Sequence, residues 1–484
     1  MTDVRRMLCL VFCLLLLLPA CLIPAEAADA YSYPEPEVLQ IDIVMQPYRY
    51  LSMIRSTEKK KHDAVVYING DTPQNIGVQI RGASSLRQGM RSKAKRIPME
   101  LCFDYADPDG AFRGNPSLKL INCTTPARLL TQLIAIQAFA FLDIPTPSVT
   151  PAFIRINDTD FGLYLAVEDL NEAFVRNHFG DVTLYRAAID RDVDRTFYTF
   201  ESHSIVAKVD RGCETLAQYN EAKKQHKDAE RFLDVDEFLR FMACETFLMS
   251  HDGFCHSMNN FYLADDHGKL QLLPWDLDYV FTAFNLQNGF HDFETESTPL
   301  FQELMQNAAY YAKYRQYIRK LNDEFLNPDT FLPWLESYIR YLVPYLQRDP
   351  TIAKLTDDVF AELTTGNALY NTMTGNLLLT FQIYHDQASA QLSGKTDSFS
   401  APKGMTVSSY DLDEIQSHTK AGKAIIFQIC ANYWKMRRHA FWQSDSKGAL
   451  AAAGIFILVF VCIVWSVYRP RHRLQKSRQR SDSE

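Results

Sequence analysis

The stretch from His251 to Phe281 concentrates residue types that are suited to phosphate and metal chemistry. It contains Asp252, the adjacent amides Asn259 and Asn260, and Asp276, with an apolar segment shortly before the last of these. A carboxylate can accept the proton of a substrate hydroxyl, and carboxylate and amide oxygens are preferred ligands of Mg²⁺. Gathered at the end of a strand, this set predicts a site that holds a divalent cation beside a phosphate group.

Protein kinases hold Mg-ATP with the same order of groups: an acid, an amide, and an Asp that follows an apolar strand. Here the apolar strand is predicted from Leu270 to Leu273. Ordinary kinases place the amide five residues after the catalytic acid, whereas Asn259 and Asn260 lie seven and eight residues after Asp252. The roles therefore transfer by analogy, and a polar turn between two strands is the alternative for any one residue.

The first residues have the pattern of a leader. Arg5 and Arg6 precede a short apolar run that ends in small residues before Ala27, which predicts a signal peptide over residues 1–27. Cys21 lies in a sequence that resembles a bacterial lipobox, so lipidation there is a second possibility.

The C-terminal end has the pattern of a membrane anchor. Residues 449–468 carry no charge and are long enough to cross a hydrocarbon core. Six basic residues follow within 469–484, which predicts a cytoplasmic tail and a single transmembrane helix. The large N-terminal part is therefore expected outside the cytoplasm, at the cell surface.

Charge and cysteine content agree with an exported domain. The formal net charge is −8 although the tail is basic, so the exported part is acidic and nucleic acid is not expected as a partner. Two Asn-X-Thr sequons, at Asn122 and Asn157, are glycosylation sites only in a eukaryotic host. Six cysteines outside the leader and the predicted span permit up to three disulfides and lack the CxxC spacing of a zinc site: Cys102, Cys123, Cys213, Cys244, Cys255 and Cys430.

The periodicity of the exported part predicts an α+β chain with a β-rich first part and a helical second part. Strands are predicted at 38–45, 64–68, 77–81 and 97–103, followed by an apolar helix at 129–142 and a hairpin at 152–156 and 163–167. Further helices are predicted at 235–250, 300–307, 308–325, 329–346 and within 359–391, with Pro344 expected to end or kink the fourth.

Four motifs of this chain resemble the CotH kinase family, named for a bacterial spore-coat protein. The most specific is Pro274-Trp-Asp-Leu-Asp278, and the resemblance extends along most of the exported chain. It implies a divergent, two-lobed protein-kinase-like domain over residues 38–395, followed by a helical segment and stalk at 396–448. The other motifs are Gly77-Val-Gln-Ile-Arg-Gly82, Phe161-Gly-Leu-Tyr-Leu-Ala-Val-Glu168, and Asp252-Gly253 with Met258-Asn-Asn-Phe-Tyr-Leu263.

The resemblance implies a membrane-anchored kinase that transfers the γ-phosphate of ATP, with Mg²⁺ or Mn²⁺, to Ser or Thr of secreted or surface proteins. The alternative within the same family is a surface binding or adhesion protein that keeps the fold with weak or no catalysis. A metal-dependent hydrolase is a third hypothesis, which lacks an accompanying nucleophile. A zinc site at His251 and His256 lacks a third ligand at suitable spacing.

The kinase hypothesis assigns a role to each candidate residue. Asp252 is expected to accept the hydroxyl proton, and Asp276 to be both catalytic and the main metal ligand. Asn260, or equally Asn259, and Asp278 complete the predicted metal set.

A basic cluster from Arg81 to Arg96 is expected to replace the glycine-rich phosphate loop, because GxGxxG is absent. Arg81 and Lys95 are the predicted phosphate contacts, Lys93 is the alternative to Lys95, and Glu168 is expected to line the nucleotide edge. The helix at 129–142 carries no Glu that would orient such a lysine.

Overall fold

A computed structural model describes the chain from Tyr31 to Trp442. Within that span, the described residues are 31–91, 96–123, 125–187, 205–250, 252–281, 298–350, 358–366, 368–370, 376–395, 406–407 and 422–442. The predicted signal peptide, membrane span and cytoplasmic tail, and with them Lys93 and Lys95, lie outside the described residues. Among the described helices, none is long and apolar enough to cross a membrane.

The first part of the chain forms a closed seven-stranded barrel in the order β1-β2-β3-β4-β5-β7-β6. All neighbours are antiparallel except β1 and β6, which close the barrel in parallel. Alternate apolar side chains such as Ile41 and Ile43 fill its interior. The strands are β1 Leu39–Val44, β2 His62–Ile68, β3 Gln74–Ile80, β4 Met99–Cys102, β5 Ser117–Ile121, β6 Val149–Ile156 and β7 Thr159–Glu168, with helices α1 Pro47–Met53 and α2 Ser84–Arg91 between them.

Helix α3, Pro126–Phe141, joins the barrel to the rest of the molecule. Thr125 caps it by accepting a hydrogen bond from the backbone of Arg128, and Pro126 occupies its first turn. Its residues are almost all apolar and buried, and they pack with the outward-facing Phe153 and Leu163 in a second hydrophobic core. This helix, the β6–β7 hairpin and the β-rich first part confirm the predicted α+β class.

A second, four-stranded sheet has the order β11-β10-β8-β9 and is antiparallel throughout. Of its four strands, the one at Leu270 to Leu273 was predicted from the sequence. Its strands are β8 Thr183–Ala187, β9 Ile205–Val209, β10 Phe261–Asp266 and β11 Lys269–Pro274, and the helices beside it in the chain are α4 Glu172–His178, α5 Thr215–Lys224, α6 Val235–Phe247 and α7 Phe254–Ser257.

The remaining described elements are mostly helical, as the periodicity predicts. The predicted helix at 308–325 is an α-helix that ends at Lys320 and continues as a π-helix, Leu321–Phe325. Pro344 does not end its helix, since α10 runs through Pro333 and Pro344 to Arg348; the alternative, a kink at Pro344, stays a prediction. These elements are α8 Pro299–Met305, α9 Ala308–Lys320, α10 Pro328–Arg348, α11 Val359–Thr365, β12 Ala368–Tyr370, α12 Leu377–Leu392, β13 Thr406–Val407 and α13 Gly422–Trp442.

Helix α13 lies in the segment expected to form a helical piece and stalk, yet it packs against the barrel. Ile425, Ile429 and Cys430 belong to the barrel core. The Asn157 amide donates to the backbone oxygen of Ile429 at 3.2 Å, so the β6–β7 turn holds the helix as well.

Truncating Ile429 to alanine is expected to lower the free energy of unfolding by about 2–5 kcal/mol, because a fully buried side chain is replaced by a cavity. Chemical denaturation measures the change. Gln428→Ala, at an exposed position of the same helix, should alter stability by less than about 0.5 kcal/mol. Equal effects from the two variants would contradict the packing of α13.

The structure describes the six cysteines that could form disulfides and the two sequon asparagines. All six cysteines are free in the described structure, so the permitted disulfides are not formed there. Asn122 and Asn157 are both buried: the Asn122 amide donates to Arg96 O at 2.7 Å, and the Asn157 amide to Met45 O at 2.9 Å. Glycans on these amides are incompatible with the folded barrel.

Candidate active site

The β10–β11 hairpin brings two segments of the predicted site to one edge of the second sheet. Phe261, at the start of β10, pairs with Pro274, at the end of β11. Asn260, just before β10, and Asp276, shortly after β11, therefore lie at the same edge of the sheet. Each of these two residues has left-handed backbone, with φ of 55° for Asn260 and 54° for Asp276. Such conformations are unfavourable for side chains with a Cβ and are concentrated at functional sites.

Asp252 lies in the loop between α6 and α7 and binds both amides of the predicted set. Asn259 Nδ2 donates to Asp252 Oδ1 at 3.2 Å, and Asn260 Nδ2 donates to Asp252 Oδ2 at 2.9 Å. Because the nitrogens point at Asp252, the amide oxygens are the atoms left to bind a cation. The structure therefore brings Asp252, Asn259 and Asn260 together despite the longer spacing.

Asp276 and Asp278 form an acidic pair next to this loop. Desolvation by the surrounding protein raises the pKa of Asp276, although its side chain is accessible to solvent; the nearby Arg81 opposes the shift and Asp252 adds to it. Burial, followed by the charge of Asp276, raises the pKa of Asp278 to about 7, against the effect of Arg128. Carboxyl groups that raise one another's pKa in this way gain from a bound cation.

Helix α3 contacts the acidic pair through a basic residue. Arg128 Nη1 lies 3.5 Å from Asp278 Oδ2, and its guanidinium lies 4.9 Å from the centre of the Tyr279 ring. Helix α3 itself thus contributes no acid to the site. An Arg in the helix pairs with an Asp of the site.

Two lysines near this edge share one acid, and sequence reasoning missed both. Lys119, from the barrel, is buried, whereas Lys208, from the second sheet, is exposed. Lys119, on β5, and Lys208, on β9, both bind Asp169 Oδ1, with Lys208 Nζ at 2.7 Å, and Ser117 Oγ donates to Asp169 Oδ2 at 3.2 Å. The only available signal was a single lysine within each of two apolar strands, SLKLI and IVAKV.

The charges of Lys119 and Asp169 are set by competition between burial and their mutual attraction. Burial lowers the pKa of Lys119 to about 7; it outweighs the attraction of Asp169, and Lys208 and Arg81 lower the pKa further. Burial would raise the pKa of Asp169, but Lys119 and Lys208 together hold it below its ordinary value. The acid therefore keeps its charge, and Lys119 is the member that titrates.

Trp275 links the cationic and acidic sides. Lys119 Nζ lies 4.3 Å from the centre of its ring, and the Arg81 guanidinium 5.9 Å. Tyr262 packs edge-on at 5.6 Å, and Lys208 Nζ lies 5.4 Å from the Tyr262 ring. Aromatic faces attract cations, so these contacts help to hold the cationic side chains beside the acidic ones.

Sequence comparison assigns this arrangement to a family. The profile of the CotH kinase protein family matches residues 78–371, which is more than half of the chain and includes every residue of the site. The chain belongs to the CotH kinase protein family.

Named CotH relatives are distant and only partly covered. The inner spore coat protein H of Bacillus subtilis is 23% identical over 184 residues, which are 34% of this chain and 50% of that protein. Spore coat protein homolog 1 and invasin CotH7 of Rhizopus delemar are 29% and 26% identical, over 27% and 26% of this chain and 23% of each relative. The chain thus aligns with half or less of the length of these relatives.

A solved complex of HipA, HipB and operator DNA from Shewanella oneidensis also aligns with this CotH chain. The match covers 80% of this chain and 76% of that one, with 10% identity and a TM-score of 0.23. An overlap this weak carries no argument about fold or activity.

The other residues predicted to bind the nucleotide have separate positions in this CotH domain. Arg81 is at the site, next to Trp275 and Asp276. Glu168 accepts from Ser148 N at 3.0 Å and Asn115 Nδ2 at 3.4 Å; its neighbour Asp169 is the acid that binds the lysines.

Arg96, from the predicted basic cluster, is buried against Asp349 at 2.7 Å. Its guanidinium also lies over the Tyr164 ring, 5.0 Å from the ring centre. Arg96 therefore ties β4 to the end of α10 and does not line the candidate site.

The donor set suits a hard cation better than zinc. Within the described ranges, no group of three or more His, Cys, Asp or Glu side chains is placed to hold a metal. The set at the hairpin edge consists of two carboxylates, Asp276 and Asp278, and two amide oxygens, those of Asn259 and Asn260. Mg²⁺ keeps several waters and takes one or two carboxylates together with substrate phosphates, so these residues fit it.

Proposed function

We propose that this CotH family chain is a protein kinase that transfers the γ-phosphate of ATP to Ser or Thr of secreted or surface proteins. The observation that supports it most is that Trp275 and Asp276, at one edge of a hairpin, adjoin the buried Lys119–Asp169 pair of the barrel. Phosphoryl transfer needs groups of these two kinds, a cation-binding acid and phosphate-binding cations, within one cleft.

The phosphate groups would be bound by side chains. Lys119, Arg81, Lys208 and Arg186 lie near the aromatic pair Trp275 and Tyr262. Three of them, Arg81, Arg186 and Lys119, are close enough to Asp276 to lower its pKa. Arg forks and Lys point charges stabilise triphosphate oxygens and the charge that spreads over them during transfer. The lack of a glycine-rich phosphate loop is therefore compensated.

Asp276 would be the main ligand of Mg²⁺ or Mn²⁺, with Asn260, Asn259 and Asp278 contributing oxygens. When bound, the cation supplies charge neutralisation between adjacent phosphates. Arg128 keeps Asp278 turned toward α3, and the amides keep their oxygens outward because Asp252 holds their nitrogens.

Asp252 would orient the acceptor hydroxyl and take its proton. Both of its oxygens accept from Asn259 and Asn260, which fixes the plane of the carboxylate. A group held in this way needs little reorganisation when the hydroxyl arrives, so catalysis would rest on positioning and electrostatics.

The compartment and partners are part of the same proposal. Relatives named as a spore coat protein and as an invasin support a surface or extracellular location. We propose that the barrel and the helical part act as the two lobes of a kinase-like domain, tethered by the segment 449–468. The expected partner is a secreted or surface protein, and no nucleic acid is expected.

The proposal is tested with the full-length chain in mild detergent, γ-labelled ATP, Mg²⁺ or Mn²⁺ and a generic basic protein. We expect metal-dependent labelling of Ser or Thr and a thermal shift with Mg-ATP. Asp252→Asn should lower the rate on the order of 100-fold, because it removes the proton acceptor. Wild-type protein that neither labels the acceptor nor shifts with Mg-ATP would overturn the kinase proposal.

A surface binding or adhesion role is the second candidate. It is favoured by the printed names of the relatives, which describe coat and invasin proteins. It predicts that Asp252→Asn and Asp276→Asn leave attachment to the partner surface unchanged, whereas the kinase proposal places these two residues in the essential chemistry.

A further inference from the structure

Glu245 is a buried acid of α6 whose side chain reaches the loop that carries Asp252. It is 1% exposed. Its Oε1 accepts from Phe254 N at 3.0 Å, and its Oε2 accepts from Cys255 N at 2.6 Å. Both bonds go to the backbone immediately after Asp252-Gly253, and the Cys255 thiol is a further hydrogen-bond partner of the carboxylate, so Glu245 holds this peptide segment.

Gly253 shows how closely the loop approaches this acid. A Cβ added to Gly253 would lie 2.1 Å from Glu245 Oε1 and 2.6 Å from Ser250 Oγ. The backbone of Gly253 is extended, with φ of −92°, so its conformation does not require glycine. The requirement is one of space, because the loop is pressed against the carboxylate.

We propose that Glu245 is a positioning residue for the proposed phosphoryl transfer, which holds the loop so that the carboxylate of Asp252 meets the acceptor hydroxyl. This inference rests on the proposed function. It adds a group that lies behind the loop and touches neither nucleotide nor acceptor. Asp252 is thereby fixed from two sides, by Glu245 through the backbone and by Asn259 and Asn260 through the side chain.

A carboxylate is the group that this position needs. It offers two acceptor oxygens and no donor when ionised, which matches two backbone N–H groups. A glutamine of the same shape would direct an NH₂ group at one of those N–H groups and leave a buried donor without an acceptor. Burial raises the pKa of Glu245 to about 7, and the two backbone bonds oppose that rise by favouring the charged form.

Glu237 provides a matched control within the same helix. It is also 1% exposed, and its Oε2 accepts a backbone hydrogen bond, from Leu272 N at 2.9 Å. That bond goes to the middle of β11 and not to the loop. Glu237→Gln therefore makes the same chemical change at similar burial without touching the segment that carries Asp252.

The test compares Glu245→Gln and Glu237→Gln in the full-length chain. With ATP and the generic basic protein, Glu245→Gln should lower kcat roughly 10- to 100-fold with KM for ATP within about twofold. Glu237→Gln should keep kcat. Gly253→Ala should lower kcat as Glu245→Gln does, since its Cβ displaces the loop from the same carboxylate.

A second measurement does not depend on activity. Hydrogen–deuterium exchange of peptides covering residues 252–258 should rise in Glu245→Gln and stay at the wild-type level in Glu237→Gln. A protein without transferase activity but with this exchange pattern would contradict the proposed function and still support the anchoring of the loop. Unchanged exchange, or equal losses of kcat in both variants, would overturn the role of Glu245.

Discussion

Replacing Asp276 with asparagine is expected to lower the rate of phosphate transfer on the order of 1000-fold, the largest effect of any single change in this chain. Asp276 is the carboxylate at the hairpin edge, with left-handed backbone that places it next to Asp252 and Arg81. The amide keeps the shape of the side chain but removes the negative charge that would bind Mg²⁺ under the proposed function. Transfer should fall mainly through kcat, because the lysines still bind the phosphates.

The measurement is the initial rate of labelling at saturating ATP over a range of Mg²⁺ and Mn²⁺ concentrations. Asp266→Asn is the matched control, since Asp266 ends β10 at the far end of the same hairpin, beside His267. It should retain wild-type rates. A rate for Asp276→Asn within about tenfold of wild type, at any metal concentration, would remove Asp276 from the chemistry.

The acidic half of the candidate site could be predicted because its members are close in sequence. Asn259, Asn260 and Asp276 flank one hairpin, and an antiparallel hairpin must bring the start of its first strand next to the end of its second. Asp252 precedes that hairpin by a short helix. Local periodicity and residue type were therefore sufficient to predict that these residues lie together, although their spacing differs from that of an ordinary kinase.

The cationic half could not be predicted in the same way. Lys119 and Asp169 are separated in the chain by α3, β6 and β7, and the antiparallel pairing of β5 with β7 brings them together. Counting charges directed attention to the dense basic run between Arg81 and Arg96, because exposed charges outnumber buried ones. Arg96 then proved to be a structural partner of Asp349. Lys119 and Lys208, the lysines beside the candidate site, are isolated within apolar strands, and the roles of Lys93 and Lys95 stay predictions.

The distinction between local and long-range contacts also explains which parts of the fold could be predicted. The α+β class and most helices followed from periods of two and 3.6 residues, which are local properties. The pairing of β8 and β9 with β10 and the packing of α13 on the barrel join segments far apart in the chain. The helix continues past Pro344 for a related reason, because tertiary packing of a long amphipathic helix can outweigh the local cost of proline.

Replacing Lys119 with methionine is expected to lower kcat/KM for ATP roughly 100- to 1000-fold. The side chain is buried between Asp169 and the Trp275 ring, so its ammonium group is the cation held most rigidly at the site. Methionine keeps the length and apolar stem but leaves Asp169 with Lys208 and Ser117 as partners. Steady-state kinetics and calorimetric titration with ATP measure the loss, with Lys208→Met as a comparison of smaller expected effect.

The pH dependence distinguishes charge from packing at the same position. Burial lowers the pKa of Lys119 to about 7, so above pH 7 the free protein holds this lysine mostly neutral. Phosphate groups favour the protonated form, and ATP binding should therefore take up a proton at pH 8. The affinity attributable to Lys119 should fall by up to about tenfold per pH unit above pH 7 and reach its full value below it.

Lys119→Arg is the variant that decides this point, because a guanidinium keeps its charge throughout this range. Titrations in buffers of different ionisation enthalpy should show less proton uptake at pH 8 for Lys119→Arg than for the wild type. The ionisation of ATP itself is common to both proteins and cancels in the difference. Equal proton uptake in the two proteins would mean that Lys119 stays charged in the free enzyme, and that Asp169 outweighs its burial.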